Sequence, residues 1–334
     1  MNKRLLNTIE LTKTIINMLT RKFILSLVLV VIVAFNTKAQ QLPQYSNYMI
    51  NNYAMNPAVA GSNPYFEGIS TNRYQWVGLT DAPRTYILTA QGPTKSLNVG
   101  LGGSLYTDIV GPTRRIGASF SYAYHLKLND KVKLSMGLSA GVVQLTVDGS
   151  KIALRDPGDM VLSNGLQSVI APDFGAGLYA YSVDKKWYVG ASIPQILQSK
   201  INFVEISTAT LSKMTRHYYI TAGYKYKLNE DFVLEPSTCI KYAKPATLQF
   251  DLGIRAIYHD KIWLGAVYRY MDAAAAIVGY KLQENLSLAY SYDFTTSNIR
   301  RYSSGTHEIM IAIRFHKVQP KITPIAEPAA TEQK

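Results

Sequence analysis

Alternation of apolar with small or polar residues, sustained far longer than a soluble strand needs, is the feature that most limits what this chain can fold into. Lys131–Val142, KVKLSMGLSAGV, places Val132, Leu134, Met136, Leu138, Ala140 and Val142 on one face and Lys133, Ser135, Gly137, Ser139 and Gly141 on the other. Asn285–Phe294 and Thr247–Ala256 repeat the pattern, with Leu286, Leu288, Tyr290, Tyr292 and Phe294 in the first and Leu248, Phe250, Leu252, Ile254 and Ala256 in the second. Period two is the mark of a strand. Strands of soluble sheets average about 5–6 residues, whereas crossing a bilayer with tilt takes about 9–11. The polar faces are mostly Gly, Ser and Ala with a few charges, and aromatics such as Tyr122, Tyr124, Tyr268 and Tyr270 gather near strand ends. A crowded interior and an apolar exterior with aromatic girdles fit these faces better than a solvated sheet does. An exported soluble β-sandwich is the competing reading.

Strands are expected near 65–76, 84–92, 97–108, 114–128, 131–147, 172–182, 186–193, 215–228, 232–242, 246–258, 261–270, 274–282, 285–294 and 306–315. That makes about 14, an even number as single-chain bacterial barrels require. Short turns of Asn, Asp, Gly and Lys fall at 92–96, 128–130, 183–186, 229–231, 259–260 and 283–285. Longer connections fall at 148–171, 194–214 and 295–305. With both termini periplasmic, every short turn is expected inside and every long loop outside. The fold class is therefore all-β, a transmembrane outer-membrane β-barrel of antiparallel strands over residues 65–315.

The N-terminus reads as an export signal. Arg21 and Lys22 precede the uncharged run FILSLVLVVIVAF (Phe23–Phe35), and Thr37-Lys38-Ala39 offers a cleavage site. The run is shorter than the roughly 20 residues of a spanning helix. Residues 1–39 are expected to be a cleaved signal peptide, with Met18 as the natural start. Removing its six basic and one acidic residues lowers the formal charge from +13 to about +8. An exported chain rarely meets nucleic acid, so that charge is assigned to solvated and lumenal positions and to lipid headgroups. One cysteine, Cys239, excludes an intramolecular disulfide framework. Residues 316–334 are Pro- and Ala-rich and are expected to form a flexible periplasmic tail.

Residues 40–64 have neither period. Tyr45, Tyr48, Asn51, Asn52 and Asn56 carry polar tips suited to a plug inside the barrel, or to a periplasmic lip that meets ring proteins. Lys241, Asp251, Arg255, Arg269 and Asp293 alternate with apolar neighbours and are expected in the lumen, as a salt-bridged brace or as a charged solute pathway. Arg73, Trp76, Pro83 and Arg84 bracket the first outer loop and are candidates for partner docking, since Trp and Arg are frequent interface anchors. The loops 148–171 and 194–214 are alternatives. Asp148–Asp159 lacks the spacing of a calcium loop. His125, His217, His259, His307 and His316 form no set that suggests catalysis, and no cofactor or metal is expected.

Several blocks resemble a known family: NPAVAG (Asn56–Gly61), RYQWVGLTDAPRT (Arg73–Thr85), GPT (Gly111–Thr113), YAYHLKL (Tyr122–Leu128) and PDFGAGLYAYS (Pro172–Ser182). WYVGASIPQIL (Trp187–Leu197), EPSTCIKY (Glu235–Tyr242), YRYMDA (Tyr268–Ala273), SYDFTTS (Ser291–Ser297) and SGTHEIM (Ser304–Met310) follow in order. From about Gln44 to Phe315 the chain resembles the PorP/SprF proteins of the type IX secretion and gliding systems of Bacteroidota. Val59, His125 and the C-terminal tail depart from the usual pattern. The resemblance implies a non-enzymatic outer-membrane barrel that docks or anchors a secreted adhesin or cargo C-terminal domain, or links the translocon to periplasmic ring and motor subunits. The alternative is a diffusion or uptake channel for small solutes. Implied partners are type IX components or cargo, with outer-membrane lipid and lipopolysaccharide around the wall.

Overall fold

In the computed structural model the described residues are 43–152, 165–201, 212–244 and 246–318. They form β1 (Tyr65–Tyr74), β2 (Arg84–Pro93), β3 (Val99–Val110), β4 (Thr113–Lys127), β5 (Val132–Asp148), β6 (Leu166–Ser182) and β7 (Trp187–Ile193). There follow β8 (His217–Tyr224, resumed at Tyr226–Lys227), β9 (Phe232–Ala243), β10 (Gln249–Tyr258), β11 (Ile262–Arg269), β12 (Ala273–Gln283), β13 (Leu286–Thr295) and β14 (Thr306–Lys317). Each strand pairs antiparallel with its sequence neighbours, and β1 pairs with β14, so the sheet closes as a 14-strand barrel with no free edge. Closure satisfies every ladder within the wall, which the bilayer demands. Lys200–Ile201 and Ser212–Lys213 make a small separate ribbon. Among the described residues no helix is long and apolar enough to cross a membrane.

The side chains sort as the alternation requires. Leu138, Ile170 and Leu264 point outward and are 65%, 69% and 62% exposed. Tyr74, Tyr218, Tyr242, Tyr268 and Tyr270 ring one end of this apolar band, and Tyr224, Tyr226, Phe232, Tyr258, Tyr280 and Phe315 ring the other. Those two girdles mark the membrane interfaces. The end bearing only short turns is the periplasmic one, and the end with the longer loops is the outer one.

Two expectations about the connections need correction. The outer end also carries short links: Gly111–Pro112, Lys244–Leu248 and Tyr270–Asp272 join β3–β4, β9–β10 and β11–β12. Strand β6 starts at Leu166, paired with Asp148, because β5 and β6 extend together beyond the membrane; the loop expected over 148–171 is correspondingly shorter. Its residues 153–164, like 202–211 of the loop expected at 194–214, lie outside the described residues. So do the expected signal peptide and nearly all of the expected tail, except that β14 runs on to Lys317 and Val318 donates its N–H to Pro64 O (2.8 Å).

Residues 43–64 run through the interior. Gln44 bonds Gln249 at the outer end of β10 (3.0 Å), and Pro43 and Tyr45 stand beside His217, Tyr219 and Lys241. The segment then descends, and Gly61 accepts its place at the periplasmic rim by donating its N–H to Gln91 (2.7 Å). From Pro43 it therefore starts in the outer half of the lumen, not on the periplasmic side, where the sequence places both termini. Two short 3-10 turns shape it, Asn52–Ala54 and Pro57–Val59. Asn51 and Asn56 cap them, their side-chain oxygens accepting from Ala54 N (3.3 Å) and Ala58 N (2.9 Å).

Apolar side chains of the segment complete two interior clusters. Tyr48, Met49 and Met55 pack with Ile69, Tyr219, Val267, Ile277 and Met310; Tyr53, Ala58, Val59 and Ala60 pack with Ala123, Tyr179 and Tyr181. A side chain such as Met49 buried this way contributes about 1.5–3 kcal/mol. The wall makes room for the backbone by omitting side chains. A Cβ on Gly100 would lie 1.8 Å from Ala60 O, and one on Gly137 would lie 2.3 Å from Ala58 N. Gly137→Val should therefore expel the segment without opening the barrel. Limited proteolysis of the detergent-folded protein should cut within Gln44–Gly61 at least tenfold faster, while Gly103→Ala, where a Cβ meets nothing nearer than 3.6 Å, should cut at the wild-type rate.

Candidate functional site

Where the segment begins, inward-facing charges from six strands converge on it. Arg73 (β1), Asp293 (β13), Glu308 (β14), Asp251 (β10) and Arg269 (β11) are each at most 2% exposed, and Lys241 (β9) reaches in beside them. Register brings them together: Arg73 lies opposite Glu308, and Asp251 opposite Arg269. Arg73 bonds Glu308 Oε2 at 2.9 Å and Asp293 Oδ2 at 2.8 Å. Arg269 reaches Asp293 and Asp272 at 3.2 Å each and Asp251 at 3.5 Å; Lys241 pairs with Asp251 at 2.7 Å.

The segment is wired into this cluster. Glu308 accepts the backbone N–H groups of Ser46 (2.9 Å) and Asn47 (3.0 Å) and the Asn47 side-chain amide (2.9 Å). The Ser46 hydroxyl donates to Asp293 (2.8 Å) and accepts from Arg73 (3.0 Å) and Arg269 (3.2 Å). A hydroxyl has one proton and two lone pairs, so Ser46 is fully used. Further down, Tyr48 OH meets Ser237 (3.1 Å), Asn51 donates to Thr89 (3.2 Å), Tyr53 donates to Ser121 (3.1 Å) and Asn56 donates to Leu178 O (2.9 Å). Tyr45 and Asn52 are half-buried and line cavities beside the segment. At the exit His125 Nε2 meets Ala60 O (2.8 Å) and its Nδ1 meets Tyr181 OH (3.0 Å).

The five lumenal charges named from sequence all face inward, but they do not form one group. Arg255 instead pairs with Glu235, its guanidinium 5.8 Å from the centre of the Trp263 ring, lower in the barrel. Arg73 is a correction: expected among the docking residues, it is enclosed by Asp293, Glu308 and Ser46 and presents no surface to a partner. Trp76 and Pro83 do sit in the outer loop, half-buried, and Arg84 is exposed on the outward face. Trp76 has a positive φ of 51° and donates its N–H to Thr306 Oγ1 (3.1 Å). The loop is tied to its neighbour by Val77 N to Gly305 O (2.8 Å) and Ser304 N to Val77 O (2.7 Å). The two outer histidines do not meet: His217 is buried facing the lumen, and His307 faces outward against Tyr290 OH (2.7 Å).

Sequence reasoning missed the acidic partners Glu67, Glu235 and Glu308, and Ser46 and Asn47. The signal for the glutamates was present. Ile309, Ile311 and Ile313 face lipid, which turns Glu308, Met310, Ala312 and Arg314 inward; Glu67 and Glu235 share the parity of Arg73 and Lys241.

A sequence model described as the type IX secretion system membrane protein PorP/SprF matches residues 37–313. The chain belongs to the PorP/SprF family. This membership and the closed 14-strand barrel place it in the outer membrane as a component of type IX secretion. No curated protein matches it. Solved structures similar to it include a Pseudomonas aeruginosa FadL homologue (12% identity, TM-score 0.43, covering 77% of this chain and 93% of that one). Others are Acinetobacter baumannii Omp33 (7%, 0.44, 75% and 98%) and a deletion mutant of the TodX monoaromatic hydrocarbon channel (11%, 0.46, 83% and 95%).

Removing Glu308 should be costly, since Arg73 loses one of its two carboxylates while the backbone N–H groups of Ser46 and Asn47 lose their acceptor. Glu308→Ala should destabilise by about 3–5 kcal/mol, read as a lower urea midpoint in detergent micelles. Arg73→Met added to it should cost less than its single-variant value, because the Arg73–Glu308 pair is then already broken.

A second prediction concerns pH. Lys185, in the turn after β6, donates to Ser62 O and lies 3.7 Å from the centre of the Tyr181 ring. Burial, then Lys133 and Lys225, pull its pKa down to about 7. Its unfolded value is higher, so the folded protein binds fewer protons across the window between the two, and stability should rise from about pH 7 to about pH 10. Lys185→Met should flatten that part of the urea-midpoint profile.

Proposed function

We propose that this protein is a non-enzymatic scaffold of type IX secretion, exported by a cleaved signal peptide, that docks or anchors a secreted cargo or adhesin domain or links the translocon to periplasmic ring subunits. The observation that carries this reading is the occupied lumen. Ser46 and Asn47 are bonded to four strands, β1, β11, β13 and β14, and the segment is packed from there to the periplasmic rim. A barrel filled in this way is suited to presenting its two rims rather than to passing solute between them.

The outer rim supplies the docking candidate. Trp76 and Pro83 sit in a loop cross-bonded to the 296–305 loop, with Arg84 beside it, so an anchor there is held in place before a partner arrives. Residues 44–61 act as the plug.

Crosslinking on intact cells followed by capture of this protein should recover a type IX component or a secreted type IX substrate, and Trp76→Ala should reduce recovery of an outer-face partner several-fold. In planar bilayers the purified protein should be closed, and deleting 44–61 should open it. A wild-type protein that conducts as a steady open pore, with no type IX protein captured, would replace the scaffold by a diffusion channel.

A further inference from the structure

We infer that the outward face of β2–β6, at the level of the outer girdle, is a binding site for a phosphorylated glycolipid of the outer leaflet. The proposal goes beyond the scaffold reading and does not depend on it.

Register sets one row of side chains across five strands. Arg84 lies opposite Ile109, Ile109 opposite Arg114, Arg114 opposite Thr146, and Thr146 opposite Ser168. Neighbouring strands are about 4.8 Å apart, so Arg84 and Arg114 stand roughly 10 Å apart on the same face. Both are exposed, and neither is paired with a carboxylate among the described residues. Several cations at the periplasmic turns are neutralised locally, although Lys95, Lys131, Lys225 and Lys261 there pair with no carboxylate among the described residues. Lys127, Lys186, Lys227 and Lys281 each pair with an acid of their own turn, Asp130, Asp184, Glu230 and Glu284.

Three further features identify the occupant. The row points sideways out of the wall, so whatever meets it lies in the plane of the membrane. Tyr74, opposite Arg84, belongs to the girdle, and Tyr86 sits edge-on to it at 5.9 Å. Four residues further along the strands comes the lipid-facing row Leu88, Leu105, Ala118 and Val142, of which the first, second and fourth are half or more exposed. An acyl chain covering that row carries its headgroup at the arginines. Guanidinium groups favour phosphate by bidentate bonding. Beside Arg114, Gln144 donates to Ser168 (2.8 Å) and Thr146 meets the same hydroxyl (3.2 Å), an uncharged polar ledge suited to sugar hydroxyls. Phosphate, sugar and acyl chain in that order describe a phosphorylated glycolipid.

The test is native mass spectrometry of the full chain in detergent with bisphosphorylated lipid A as probe, compared with its dephosphorylated form and with inorganic phosphate. Wild type should retain the bisphosphorylated lipid. Arg84→Gln with Arg114→Gln should weaken retention at least tenfold, and so should removing the lipid phosphates. The charge-matched control, Arg300→Gln with Arg301→Gln in the outer loop, should retain lipid as wild type does. Heat-modifiable gel migration checks that each variant is folded. Equal retention by the folded Arg84/Arg114 variant overturns the proposal. So does an equal loss in the loop control, which would assign the effect to net charge, or displacement by millimolar inorganic phosphate, which would reduce the patch to a simple anion site.

Discussion

The arrangement depends on the Glu308 carboxylate. A carboxylate inside a barrel, walled off from water by wall and segment alike, is tolerable only when paired and hydrogen-bonded. Arg73 supplies the charge, and the backbone of Ser46 and Asn47 supplies the remaining bonds. Each solves the other's problem: the segment's N–H groups need acceptors in an interior with little free water, and the wall's acids need donors. Arg269 extends the same logic by spanning Asp251, Asp272 and Asp293, so the cluster ties together strands β9, β10, β11, β13, β14 and β1 through one buried network.

Much of the wall was legible because membrane spanning leaves few alternatives. Strand length, alternation and the aromatic positions imply about fourteen strands and turn Lys241, Asp251, Arg255, Arg269 and Asp293 inward. Arg73 shows where such reading fails. Its neighbours in the sequence, Trp76 and Pro83, do lie in an outer loop, but side-chain parity within β1 sends Arg73 to the other face of the wall. The short outer links at Gly111–Pro112 and Tyr270–Asp272 were hidden for another reason: a tight turn carries the same Gly, Pro and Asp residues on either side of a membrane.

The path of residues 43–64 could not be read from local pattern at all. Asn51 and Asn56 cap 3-10 turns, which is local chemistry, but the wall glycines that admit the segment are 39 and more positions away, Gly100 against Ala60–Gly61 and Gly137 against Ala58. Only closure of the barrel brings them together. The same holds for the Ser46 hydroxyl, whose three partners come from three different strands. A Gly-rich inner face therefore signals an occupied lumen only once its occupant is known.

Hydrogen–deuterium exchange of the folded protein in detergent tests the central claim most directly, because Ser46 and Asn47 donate their own backbone N–H groups to Glu308. Peptides covering Gln44–Ile50 should exchange as slowly as the strands in the wild type, and should lose that protection in Glu308→Ala while peptides from β4 and β5 keep theirs. Rapid exchange of Gln44–Ile50 in the wild-type barrel would contradict the account.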